Sequence, residues 1–362
     1  MAQGAGERTP SDPGEAPTLI DCDVHQSWAS DEEIRRHLPL EFDRYGVNLP
    51  NLLYNNPGGV MREDAAPAEG ELPGTTPENV AAEHLDPYGI DYAVLTGHAT
   101  NLALLPNRRY AAALARAYNA WVQEDWLPAD DRLLGSILVP PQAPEAAADL
   151  IREFGEDDRF VQVLMNTASP RPYGQSFYWP IYEAAAEMDL PVAMHPHHDG
   201  LGISNPPSGA GYPGSYFEWH NILPAVVMGQ LNSLVTEGVF VEYPDLDVVC
   251  IEGGFGWVPH LLWRMDKNWK GLRSQTPWLE RPPSEYVIEH VRFTSQPIEE
   301  PERPEHLRQI FEMMHAEETL LFSSDFPHWD GDSPDHGLPP LDDDLESRIF
   351  AENARELYDL PR

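Results

Sequence analysis

The sequence predicts a (β/α)₈ barrel with long loops over its C-terminal face. Three observations point there. Eight short apolar runs with strand character alternate with helical patterns along nearly the whole chain. Three of those runs end in residues that bind hard metal ions: D-C-D-V-H at 21–25, P-V-A-M-H-P-H-H at 191–198 and L-L-F-S-S-D-F-P-H-W-D at 320–330. No glycine-rich phosphate turn follows the first strand, which argues against a doubly wound open sheet.

The strands are expected at 18–24, 91–96, 133–139, 160–165, 191–194, 247–251, 291–294 and 319–324. Helices fill most of the gaps. The stretch 107–126 is alanine-rich with apolar residues at helical spacing, and 144–154 begins at Pro144, where a missing N–H costs nothing. Further helical patterns cover 176–188, 217–237, 256–270 and 304–315. The acidic stretch 341–347 leads into a terminal helix, 345–358, that closes the barrel. Residues 1–17 are polar and read as a disordered leader, so that 18–362 forms a single barrel domain. Two insertions interrupt the alternation, near 46–80 and at 199–215; loops after barrel strands lie over the active face, and Tyr212, Tyr216 and Phe217 favour an ordered lid.

The chain has 362 residues, is 41% hydrophobic and carries a formal net charge of −37, which opposes binding to nucleic acid or anionic membranes. No apolar run has membrane-spanning length and no signal-peptide core is present, so the expectation is a cytoplasmic protein acting on a small molecule. Cys22 and Cys250 sit in strand-like runs and read as reduced core residues.

Alternate residues of a strand face the same way, which would put Asp21, Asp23 and His25 together and make a two-ligand clip of Asp23 and His25. His195 falls at a strand tip, with His197 and His198 in the loop beyond. Asp325 ends the last apolar run, where Pro327 stops the strand. Carboxylates mixed with imidazoles suit Zn, Mn, Fe or Co without choosing among them. His98, after the second strand, is either a substrate contact or a polar loop residue. His328, three residues past Asp325, is a ligand, a partner of a ligand or structural. Arg264 and Asp266 read as interhelical ion pairs, and Trp257 and Trp263 as core. No G-x-S-x-G elbow, P-loop or C-x-x-C pair is present.

The order D-x-H, H-P, E-G-G-F-G-W-V-P, S-S-D-F-P-H resembles the amidohydrolase superfamily over residues 18–356, closest to the amidohydrolase-2 group of metal-dependent decarboxylases and hydrolases. The resemblance implies a barrel with one or two divalent ions at its C-terminal mouth. It implies metal ligation by Asp23, His25, His195 and Asp325, with Asp325 also a base towards water. It further implies self-association, with a homodimer as the analogy.

One position departs from the group: the sixth strand ends in Glu252 rather than histidine. Either Glu252 caps the helix that starts near Gly256, or with His198 it holds a second ion. On the second alternative, the segments W-K-G-L-R-S-Q-T-P-W and P-P-S-E-Y resemble the branch containing dinuclear non-haem iron hydroxylases. The leading expectation is then a dinuclear iron or iron–manganese monooxygenase using O₂ to hydroxylate a mid-sized, partly apolar substrate, with Asp325, Glu252 and His198 catalytic. The alternative is a mononuclear hydrolase or non-oxidative decarboxylase of a carboxylic acid, with one ion as Lewis acid. A non-catalytic subunit is the third class, and the clustered ligands argue against it.

Overall fold

Eight parallel strands in sequential order form the barrel of this computed structural model, which describes residues 18–50, 61 and 72–361. They are β1 (Ile20–Val24), β2 (Tyr92–Leu95), β3 (Leu133–Leu138), β4 (Phe160–Asn166), β5 (Val192–His195), β6 (Val248–Cys250), β7 (Val291–Thr294) and β8 (Leu320–Leu321). Each predicted strand is present, most trimmed at their ends. β8 is only two residues long, and the chain beyond it closes the ring: Cys22 N–H donates to Phe322 O, His25 N–H to Phe326 O and Asp325 N–H to Asp23 O. The strand ends at the C-terminal mouth are therefore locked together by main chain at the point where Asp23, His25 and Asp325 emerge.

The strands are nearly continuous apolar runs because helices cover their outer faces. The helix Arg108–Trp121 starts at Asn107, whose side chain accepts from Tyr110 N–H. Helices Pro144–Phe154, Trp179–Glu187, Leu223–Thr236, Val258–Leu272, Pro283–His290 and Pro304–Met314 each carry proline in the first turn. The C-terminal helical segment, Asp343–Ser347 through Asn353–Leu357, buries Ile349, Phe350 and Ala354, and Tyr358 Oη donates to Gln162 Oε1 of β4. This ending packs into the barrel as well as capping it.

Some local expectations change. Trp263 was read as core, yet it is 59% exposed on its helix. Asp266, expected in an interhelical ion pair, instead accepts from Ser284 N–H and Oγ at the start of the next helix. Cys22 and Cys250 are free and buried, as read. The leader 1–17 and most of the 46–80 insertion lie outside the described residues. The 199–215 insertion has no long regular element. It is tied down where Ile203 N–H meets Leu104 O, and then enters the short helix Tyr216–His220. Among the described residues, no helix is long and apolar enough to cross a membrane.

Candidate metal centre

The tips of β1, β5 and β8 bring Asp23, His25, His195 and Asp325 into one group, with one ligand atom from each within 4.8 Å of the others. All four are buried. Asp23 and His25 do lie side by side: His25 Nε2 is 3.4 Å from Asp23 Oδ1 and 2.8 Å from Asp325 Oδ1. Strand alternation does not, however, bring Asp21 along. The β1–β2 register shifts between Asp21 and Val24, and Asp21 turns away to His84 Nε2 at 2.7 Å and the Ser324 N–H.

Each member of the group has one atom fixed and one left over. His25 Nδ1–H donates to Gly97 O and His195 Nδ1–H to Pro196 O, both at 2.8 Å. A carbonyl can only accept, so these bonds fix the tautomer and turn each Nε2 inward. Gly97 has φ +63, and a Cβ there would collide with Tyr118 Oη, so only glycine presents this carbonyl. Thr96 Oγ1 donates to Asp23 Oδ1 at 2.6 Å. His328 Nδ1 bonds Asp325 Oδ1 at 2.7 Å. What remains is Asp23 Oδ2, His25 Nε2, His195 Nε2 and Asp325 Oδ2, all buried; the carboxylate oxygens have no hydrogen-bond partner, and the two imidazole nitrogens face only carboxylate oxygens. Orphaned buried polar atoms are costly, and a divalent cation satisfies all four at once. The donor set therefore fits a metal ion.

Electrostatics agree with a cationic centre. Burial opposes charge on His25, but the carboxylates of Asp23, Asp325 and Glu252 outweigh it and push its pKa up to about 10. His195 is raised in the same way, against its burial, by Asp23 and Glu252. Asp325 is held below the usual carboxylate range because His328 and His25 overcome its desolvation. The outer imidazoles behave oppositely. Burial lowers His98 and His197 well below the ordinary value and takes His198 down to about 4, leaving them neutral.

Glu252 stands at the edge of this group, with Oε2 3.3 Å from His195 Nε2. It does not cap the helix near Gly256; Glu299 does that, accepting from the Phe255 and Gly256 N–H groups. His198 does not join Glu252: the backbone turns at φ 58 and the ring stacks on His197 at 4.1 Å. His98 and His328 form a second possible group, but only by sharing His25 with the first. Three of the six positive-φ residues other than glycine among those described are His198, Glu252 and Asp325, so backbone strain collects at the mouth.

His25, His195, His198 and Glu252 line a small cavity of about 70 Å³ together with His98, His197, His328, Tyr216, Trp219 and Trp329. Trp329 Nε1 donates to Tyr216 Oη at 3.3 Å. Behind the wall, His220 lies between Asp330 Oδ2 at 3.3 Å and Glu252 Oε1 at 3.8 Å. Although burial opposes it, those carboxylates raise His220 to about 10. Sequence reasoning did not single out His220, Asp330, Thr96 or Glu299. The only trace was spacing, His220 one helical turn after Tyr216 and Asp330 five residues past Asp325.

The amidohydrolase family profile matches residues 20–360. The chain belongs to the amidohydrolase family. Over 213 residues it is 26% identical to a gamma-resorcylate decarboxylase from Rhizobium sp. (strain MTP-10005), an alignment covering 55% of this chain and 60% of the relative, so the chain spans under two thirds of that protein's length. An amidohydrolase from Mycobacterium avium subsp. paratuberculosis superposes with a TM-score of 0.71 at 21% identity, covering 94% of this chain and 99% of that one. A dihydroxybenzoic acid decarboxylase from Polaromonas sp. JS666, solved with bound manganese and 2-nitroresorcinol, gives 0.66 at 20%, covering 95% and 97%.

These relatives overturn the monooxygenase expectation: gamma-resorcylate decarboxylases from several bacteria match the chain, and they support neither iron nor O₂ chemistry. The expected second ion needed Glu252 and His198 together; both line the cavity, but the His198 ring stacks on His197 and no ion pair joins it to Glu252 among the described residues.

Proposed function

We propose that this protein is a metal-dependent, non-oxidative decarboxylase of an aromatic carboxylic acid that carries ring hydroxyl groups. One observation carries the reading: four buried ligand-type side chains converge at the barrel mouth beside an aromatic-walled cavity. Solved relatives named as decarboxylases of 2,6-dihydroxybenzoate and 5-carboxyvanillate support it, two of them with manganese.

Asp23, His25, His195 and Asp325 would hold one divalent ion, manganese or zinc, as a Lewis acid towards the substrate's oxygens. Thr96, Gly97, Pro196 and His328 keep those side chains oriented. Tyr216, Trp219 and Trp329 take the ring, and Asp330 accepts from its hydroxyl groups. When the ring–carboxylate bond breaks, its electron pair stays on the ring carbon, which takes a proton as CO₂ leaves. Glu252, in the cavity wall, is the carboxyl group assigned to deliver that proton.

The test is direct. The protein loaded with Mn(II) is assayed for CO₂ release from a panel of mono- and dihydroxybenzoates. The expected result is turnover of at least one acid without O₂ uptake. Glu252→Gln should lower kcat by about 10²–10⁴ while bound manganese is retained. O₂ consumption, or full activity in Glu252→Gln, would overturn the reading.

A further inference from the structure

We infer that Glu299 is a positioning residue for Glu252, a role that rests on the proton-delivering assignment above. Glu252 lies outside any strand: β6 ends at Cys250, and the helix Val258–Leu272 begins eight residues later. The turn between them is conformationally awkward, with φ +50 at Glu252 and +59 at Gly254. An L-residue such as Glu252 stays in the left-handed region only where its surroundings over-determine it.

Four contacts do so. Glu252 N–H donates to Thr294 Oγ1 at the end of β7, at 3.0 Å. Trp257 Nε1 donates to Gly253 O at 2.9 Å. Glu299, from the loop after β7, reaches across with Oε1 and accepts from Phe255 N–H at 3.0 Å and Gly256 N–H at 2.6 Å. A charged acceptor on two main-chain donors at the start of a long helix is the strongest of the four. The glycines fit this carboxylate. A Cβ on Gly256 would stand 2.9 Å from Glu299 Oε1, and its three nearest atoms all belong to Glu299; a Cβ on Gly254 would stand 3.1 Å from the same oxygen. The run E-G-G-F-G-W is thus a socket for a carboxylate far along the chain, and the socket aims the one at its start. From the other side, His220 holds the Glu252 carboxylate itself.

The experiment is a pair of mutant cycles on the Mn(II)-loaded full-length protein. Glu299→Ala should lower kcat about 10- to 100-fold. KM should stay within about twofold of wild type, since ring binding is untouched. Manganese content should not change. Glu299→Gln keeps an oxygen acceptor and should recover most of the loss. The double variant with Glu252→Gln should be no slower than Glu252→Gln alone. Gly256→Ala should match Glu299→Ala in wild type and add nothing in the Glu299→Ala background. Amide exchange at residues 252–257 should speed up in Glu299→Ala, whether or not a substrate is turned over. Additive losses, or unchanged kcat and unchanged exchange, would overturn the proposal. If wild type decarboxylates none of the acids, the functional reading fails on its own. The exchange rates, with the crystallographic position of Glu252 in Glu299→Ala, then decide the positioning role separately.

Discussion

The two sides of the barrel mouth are built differently. On the β1–β8 side, Asp23, His25, Thr96 and Asp325 are buried to 1% exposure or less, and every inward-facing atom has a partner fixing the other end of its side chain. On the side of the helix Tyr216–His220, Trp329 is 47% exposed and meets Tyr216 through a single 3.3 Å hydrogen bond. A metal centre needs ligand atoms held to fractions of an ångström, which a dry, over-determined strand edge supplies. The ring recognition proposed above would need apolar area that solvent can reach, and a short helix and a loop offer it. Metal affinity and substrate preference should therefore respond to different residues.

The most damaging challenge to that division is Thr96→Val. It preserves shape but removes the donor to Asp23 Oδ1, and Mn(II) affinity measured by calorimetry should fall about 10- to 100-fold. KM corrected for metal occupancy should not move; a change in KM with intact metal binding would merge the two sides.

Trp329→Ala is the complementary test. Losing one aromatic contact, about 0.5–1.5 kcal/mol, should raise KM roughly 2- to 12-fold. Bound manganese should be unaffected, and a loss of metal would show that the exposed side also holds the ligands in place.

The smallest effect concerns Asp332, where the two sides join. Its carboxylate accepts from Ile298 N–H, and burial with nearby Asp330 and Asp325 raises its pKa to about 7. A carboxyl group raised on folding keeps its proton where the unfolded chain has lost it. Its contribution is present below about pH 4 and is lost as pH rises through about 7. Asp332→Asn should therefore flatten part of the fall in Tm between those values, leaving metal affinity and KM alone. Equal Tm profiles for variant and wild type would show that the carboxylate is not desolvated.

Much of this was legible in the chain. Periodicity located all eight strands, because a strand covered on its outer face by helices must be a short apolar run between polar breaks. Asp23, His25, His195 and Asp325 could be read as strand-tip residues that meet, since a side chain at the end of such a run faces the mouth. Glu252 could be found by its position but not interpreted. Its role turns on whether something else satisfies the Phe255 and Gly256 N–H groups, and Glu299 is 47 residues away from Glu252 in sequence. The expected pairing of Glu252 with His198 depended on the same kind of information. Two residues at neighbouring strand ends share a site only if the backbone turns both inward, and the positive φ at His198 belongs to a turn that no local pattern announces. His220, Asp330 and Thr96 were missed because each acts through a contact with a residue far away in sequence. By itself, the sequence determined which side chains arrive at the mouth, because that follows from strand period and strand order. Only the tertiary structure decided which of their atoms are already engaged and which are left over, because hydrogen-bond partners are set by proximity in space rather than by spacing along the chain.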